Sequence, residues 1–209
     1  VELAARAVPA QPAPRHANPP DPYRRLRVAY LSGDFRDHPV ARNLEPVVAA
    51  HDRTAVEVYC YADVATPDSL TERFRGLADG WRDVRGLDDD GVARRMREDG
   101  VDVLVTLAGR FDRNRPLVAA RRPAPVQVAF HDVATSGLAA TDALLADPVL
   151  APRGGPERFV ERVFRLPRYY THAPLPDTPE PGPLPALALG RMTFASFNNP
   201  AKTGDAVFD

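Results

Sequence analysis

Asp34, Asp37 and His38 lie within five positions of one another, and their carboxylate and imidazole groups can take up or release a proton. A site that removes a proton from a hydroxyl needs such groups held in a fixed arrangement. Asp34 and His38 are therefore candidate proton acceptors. The same types have plain structural uses: Asp34 suits a turn and His38 a helix cap, each bonding only to nearby backbone. Residue types alone leave both uses open. His131 and Asp132, taken with His38, lack a second ligand pair at metal spacing, so no metal is expected. Arg110, Arg113 and Arg115 suit a bidentate phosphate contact, although a solvated basic loop is the commoner use of such a cluster. Cys60 falls in Val56-Glu-Val-Tyr-Cys-Tyr61, a run that predicts a strand and a buried, inert thiol.

The elements that hold these groups follow from the spacing of apolar residues. Leu26, Val28, Tyr30 and Leu31 predict a first strand, and Ser32-Gly-Asp34 supplies turn types. Pro39 suits the first helical position, where its missing N–H has no partner to lose. Behind it Val40, Leu44, Val47 and Val48 recur at helical spacing. Asp34, Asp37 and His38 thereby fall in the loop at the carboxyl end of the first strand, where open α/β sheets bind ligands. Residues 55–61 predict a second strand. Thr66-Pro67 then reads as a cap and first position for a helix with Leu70, Phe74, Leu77 and Ala78 on its inner face.

Residues 81–84 predict an edge strand, and Asp88-Asp-Asp90 opens a helix that buries Val92 and Met96 and ends at Gly100. Residues 101–107 form the strongest strand signal. A short helix follows over 116–121, then a strand over 125–130 and further short strands over 142–147 and 162–166. The alternation predicts an α/β fold, a doubly wound, mostly parallel Rossmann-like sheet with right-handed crossovers. Its polar loops over 32–39, 109–115 and 131–137 would converge on one edge.

Composition narrows the class. The chain has 209 residues, a formal net charge of -1 and 44% hydrophobic residues, enough for a core and without the positive field of a nucleic-acid binder. A single cysteine excludes an internal disulfide and fits a reducing compartment. No run is long enough to span a membrane and no signal segment opens the sequence, so a cytoplasmic location is expected. A nicotinamide-type Gly-x-Gly-x-x-Gly, a phosphate-cradling loop and a Gly-x-Ser-x-Gly elbow are all missing. No segment repeats internally.

Several stretches together are specific. Leu26-Arg-Val-Ala-Tyr-Leu-Ser-Gly-Asp-Phe-Arg-Asp-His-Pro-Val40, Val58-Tyr-Cys-Tyr-Ala-Asp63, Glu98-Asp-Gly-Val-Asp-Val-Leu-Val105 and Arg121-Arg-Pro-Ala-Pro-Val-Gln127 occur in this order. Thr135-Ser-Gly137, Asp142 with Asp147, and Phe194-Ala-Ser-Phe-Asn-Asn199 follow them. Over residues 24–202 this resembles the catalytic region of the SPINDLY / O-linked N-acetylglucosamine transferase family, glycosyltransferase family 41.

The resemblance implies the N-terminal lobe of a two-lobed (GT-B) fold. It also implies inverting, metal-free transfer of a sugar from a nucleotide-sugar donor, such as UDP-GlcNAc, to Ser or Thr hydroxyls of a protein acceptor. No cofactor is implied. A second catalytic lobe and upstream tetratricopeptide repeats are the implied neighbours, with no nucleic acid and no membrane. By resemblance His38 and Asp34 are catalytic, while Pro39, Val40, His131, Thr135, Asn198 and Lys202 are substrate-binding.

The sequence departs from the family in two loops. Leu107-Ala-Gly-Arg-Phe111 stands where the family has Leu-Ala-Gly-His-Thr, and His131 replaces a glycine, removing close backbone approach to a ligand. A degenerate, non-catalytic lobe serving as a binding or scaffold module is the alternative function.

Proline frequency completes the domain plan: a linker over 1–23, a lobe over 24–173, a second linker over 174–190, and the first strand of a truncated second lobe over 191–209. The chain opens on Val1 rather than Met and is expected to be a piece of a longer protein, inactive by itself.

Overall fold

A computed structural model describes residues 15–107, 114–131, 134–169 and 178–197. The chain separates into two compact units, 1–173 and 174–209.

In the first unit the elements run β1 (Leu26–Ser32), α1 (Pro39–Ala49), β2 (Val56–Ala62), α2 (Ser69–Leu77), β3 (Gly80–Asp83), α3 (Asp89–Glu98), β4 (Val103–Leu107), α4 (Pro116–Ala120), β5 (Val126–Phe130), β6 (Ala143–Ala146) and β7 (Arg162–Arg165). The seven strands pair in the order β3-β2-β1-β4-β5-β6-β7, and every ladder is parallel. The α/β class and the alternation expected from the sequence are both present, and β3 occupies an edge. The direction of winding reverses between β1 and β4, which makes the crevice at their carboxyl ends the topological switch point.

Alternation along the central strands sorts two cores. Val28 and Tyr30 of β1, Val58 and Cys60 of β2 and Val105 and Leu107 of β4 face α1 and α2, meeting Ala41, Leu44, Val48, Leu70 and Phe74. Ala29, Leu31, Tyr61 and Leu104 face the other way, onto Val92 and Met96 of α3 and Val118 and Ala119 of α4. Strands buried on both faces read as near-continuous apolar runs, as β1 does over 28–31 and β4 over 103–105. Burial pushes the Cys60 thiol up to about 12, in keeping with an inert packing residue.

Local chemistry revises two expectations. The cap of α2 is Asp68, not Thr66: its carboxylate accepts from the Leu70 and Thr71 amides, and Thr71 Oγ1 accepts from the Asp68 amide. A reciprocal box satisfies more orphan N–H groups than a threonine two residues earlier. The described part of the expected N-terminal linker is docked at the amino end of the sheet. There Asn18 donates to the carbonyls of Gly100 and Val101 and to Asp102, and Arg24 reaches both Asp102 carboxylate oxygens.

In the second unit, residues 192–197 form no strand, and Phe194 and Phe197 are fully exposed. A strand without a partner has no ladder to fill. The preceding stretch, expected as linker, contains a short helix, α5 (Pro185–Leu189), closed by Gly190 in the left-handed conformation at φ 63. Among the described residues no helix is long and apolar enough to cross a membrane.

Burial pushes the Asp102 carboxyl up, but bonds from Arg24, the Arg27 amide and Asn18 outweigh it and hold the group below the usual carboxylate range. Such a group stabilises the fold above its unfolded pKa, and that contribution is lost as pH falls through the folded value. Asp102→Asn is expected to cost about 2 kcal/mol at pH 7 in urea unfolding, with the gap to the native chain closing below about pH 4. A gap independent of pH would show that the charge is not what matters there.

Candidate functional site

The loop that carries Asp34 and His38 is built from β1 outward. Ser32, the last residue of β1, is buried; its Oγ accepts from the Asp34 amide at 2.9 Å and its carbonyl accepts from the Asp63 amide at 3.0 Å. Asp34 is buried, with Arg36 Nη2 at 3.8 Å and His38 Nδ1 at 3.6 Å from its carboxylate oxygens. Phe35 turns inward, its ring centroid 5.0 Å from that of Phe74 and 5.7 Å from that of Trp81, and its carbonyl accepts from Thr71 Oγ1.

Asp37 lies outside, paired with Arg42 at 2.7 Å, while its amide donates to Asp68 Oδ2. That amide bond is the foremost cause holding the Asp68 carboxyl below its ordinary range. The loops after β1 and β2 are thus stitched at Ser32, Phe35 and Asp37.

His38 has the capping role that the sequence offered as its plain structural use. It is the N-cap of α1, with extended backbone at φ -150 and ψ 147, and its Nδ1 accepts from the Val40 amide at 3.3 Å. It also stands beside the Asp34 carboxylate, and its side chain is 35% exposed. Pro39 occupies the first position of α1, exposed, and Val40 is half-buried against the α1 core.

The remaining candidates scatter. His131 follows β5, and β4 lies between β5 and β1, so these two loop origins are about 10 Å apart. Its backbone sits at φ 58, in the left-handed region, and its ring packs against Phe130 and Tyr169 at centroid distances of 4.4 and 6.0 Å. That conformation favours glycine, and histidine tolerates it better than most side chains.

Thr135 leaves this edge. Its hydroxyl donates to Glu161 Oε2 at 2.7 Å, and the Ser136 amide and hydroxyl bond the other Glu161 oxygen. Glu161 immediately precedes β7, at the opposite end of the sheet from His131, so Thr135 is occupied in closing the β5–β6 crossover. Asn198, Lys202, Arg110, Arg113 and Asp132 lie outside the described residues.

Arg115, one of the possible phosphate ligands, is enclosed. It bonds Asp89 at 2.7 Å and the Leu87 carbonyl and lies 4.0 Å from Asp63, acting as a strut between the loops after β2, β3 and β4. At this edge Arg36 faces Asp34, Arg42 faces Asp37 and Arg85 faces Asp83. Among the described residues the guanidinium groups of these loops are thus matched to carboxylates rather than offered to a diphosphate. No three His, Cys, Asp or Glu side chains converge as a metal-binding group among the described residues. A crevice of about 450 Å³ lies at the other, amino end of the sheet, lined by Asn18, Arg24, Arg25, Arg27, Glu57 and Arg97.

Sequence reasoning missed the anchoring role of Phe35 and took Arg115 for a phosphate ligand or a solvated residue rather than a strut. A lone aromatic in an otherwise polar loop was the available signal for the first; the partners of the second come from distant turns and left none.

Parallel strands with helices on both faces define a Rossmann-like α/β domain, and a buried carboxylate stands beside an imidazole at its switch point. Its family follows from comparison: residues 10–172 match the model of glycosyl transferase family 41, and the chain belongs to that family. It is 38% identical over 191 residues to a probable UDP-N-acetylglucosamine–peptide N-acetylglucosaminyltransferase SPINDLY of Petunia hybrida, covering 88% of this chain and 20% of that protein. The Caenorhabditis elegans UDP-N-acetylglucosamine–peptide N-acetylglucosaminyltransferase is 30% identical over 70% of this chain and 13% of its own length. A solved structure of a mutant Thermobaculum terrenum O-GlcNAc transferase superposes with a TM-score of 0.77 at 46% identity, over 82% of this chain and 34% of that one. The chain spans about a fifth of the length of the plant relatives it matches.

His38→Ala removes the α1 cap and is expected to lower stability by about 1 kcal/mol. His38→Asn, which restores a capping oxygen, should stay within about 0.5 kcal/mol of the native chain. Urea unfolding measures both, and equal stability of the two variants would exclude the capping role.

Proposed function

We propose that this chain is the acceptor-side, N-terminal lobe of an inverting protein O-glycosyltransferase that moves N-acetylglucosamine from UDP-GlcNAc to Ser or Thr hydroxyls. The observation that carries this is the buried Asp34 carboxylate 3.6 Å from the His38 ring, at the carboxyl end of β1 beside the switch point. Transfer to a hydroxyl asks for two services, removal of the hydroxyl proton and stabilisation of the departing diphosphate. Asp34 and His38 suit the first. The second is poorly served by loops whose arginines already face carboxylates, which supports a division of labour: this lobe meets the sugar and the acceptor, and a second lobe holds the diphosphate.

Helical repeats ahead of the lobe fit the greater length of the relatives. Because half of the chemistry lies elsewhere on this account, the chain by itself does not transfer.

The test is mass spectrometry of a Ser/Thr peptide incubated with UDP-GlcNAc. The complete polypeptide should add one N-acetylhexosamine, the 209-residue chain none, and Asp34→Ala should slow the complete enzyme by at least about a hundredfold. Absence of transfer by the complete polypeptide, or transfer by this chain alone, would overturn the proposal.

A further inference from the structure

The Phe35 ring anchors its loop, but a ring alone leaves the peptide groups on either side of it free to turn. Two successive peptide units between Asp34 and His38 are held from outside the loop, by the start of α2. In the first unit the Phe35 carbonyl accepts from Thr71 Oγ1 at 2.7 Å, while the Arg36 amide donates to the Asp34 carbonyl at 2.7 Å. In the second the Asp37 amide donates to Asp68 Oδ2. Each unit is planar, so fixing its carbonyl or its amide leaves few rotations between the carboxylate and the imidazole.

Both residues of α2 do more than the helix needs. Asp68 divides its oxygens: Oδ1 accepts from the Leu70 and Thr71 amides at 2.9 and 3.0 Å, and Oδ2 accepts from the Asp37 amide of the loop. Thr71 is completely buried, and its hydroxyl has one proton to give. The Phe35 carbonyl lies nearer to it than Asp68 Oδ1, at 2.7 against 3.3 Å, so the proton goes to the loop. For the helix the hydroxyl accepts from the Asp68 amide at 3.0 Å. A capping box is complete without either bond to the loop, and those bonds join residues 31 and 36 positions apart.

We infer that Asp68 and Thr71 are positioning residues: their bonds to the Asp37 amide and the Phe35 carbonyl set the Asp34 carboxylate against the His38 ring. Their effect on transfer rests on the function proposed above, because it passes through that pair. The bonds that hold the pair itself flank the clamped units. The Asp34 amide donates to Ser32 Oγ at 2.9 Å on one side, and the Val40 amide donates to His38 Nδ1 at 3.3 Å on the other.

Asp68→Asn separates the two uses. Asparagine caps a helix as well as aspartate does, but its second atom is an N–H donor and cannot accept from the Asp37 amide. In the 209-residue chain this variant should speed hydrogen exchange at the Asp34, Asp37 and Val40 amides at least about fivefold, with Leu70 and Thr71 within about twofold of native. Unchanged exchange at Asp34 and Val40 overturns the inference. An equal rise at all five amides marks loss of the cap alone and likewise overturns it.

In the complete enzyme Asp68→Asn and Thr71→Val should each lower kcat at least about tenfold and leave KM for UDP-GlcNAc within about threefold. Thr71→Ser, which restores the hydroxyl, should return kcat to within about threefold of native. Native kcat in Thr71→Val, or the same loss in Thr71→Ser as in Thr71→Val, overturns the positioning role. Failure of the native enzyme to transfer would remove the proposed function, and the exchange pattern would still decide the clamp.

Discussion

The loop that carries Asp34 and His38 keeps its shape because Phe35, between them in sequence, is completely buried against Phe74 of α2 and Trp81 of β3. Burying such a ring is worth about 2–3 kcal/mol, more than any polar contact in the loop supplies. Once the ring is inside, its neighbours have little freedom. Asp34 is drawn under the surface beside Ser32, and His38 arrives where α1 begins. The Thr71 bond to the Phe35 carbonyl and the Asp68 bond to the Asp37 amide then fix what the ring has placed. The carboxylate and the imidazole are positioned by an apolar side chain.

The two ends of the sheet divide the remaining polar residues. At the carboxyl ends, Arg115 braces neighbouring loops through Asp63 and Asp89, while Arg36, Arg42 and Arg85 each face an aspartate close by in sequence. At the amino ends, Asp102 gathers Asn18, Arg24 and the Arg27 amide and draws the preceding segment onto the body. This concentration of bonds on Asp102 explains why a proline-rich stretch that reads as a free linker is in part docked.

Much of the fold was legible because parallel, doubly covered strands carry near-continuous apolar runs, as β1 does over 28–31 and β4 over 103–105. The helix over Pro39–Ala49 announced itself by proline at its first position and a regular apolar face. The Thr66 cap failed because Asp68 offers a carboxylate to two amides at once, a comparison that a one-residue signature does not make. The strand over 192–197 failed for a different reason: alternation records what a segment could bury, and a ladder also needs a partner.

At the site, type and spacing pointed to Asp34 and His38, and the structure sets them beside one another. The same signals grouped Thr135 with His131, which the crossover separates; Glu161, which captures Thr135, is remote in sequence and carried no mark. The glycine-to-histidine change at position 131 reads as a loss of close backbone approach to a ligand; the structure sets that histidine in the left-handed conformation, with its ring against Phe130 and Tyr169.

The central claim is that ligands meet the carboxyl end of β1 and not the crevice at the amino end of the sheet. Hydrogen–deuterium exchange on the complete protein, with and without UDP-GlcNAc, separates the two. The account predicts ligand-dependent slowing of exchange across residues 33–41 and none across 17–27. Slowing confined to 17–27 and 97–100, with 33–41 unchanged, would contradict it.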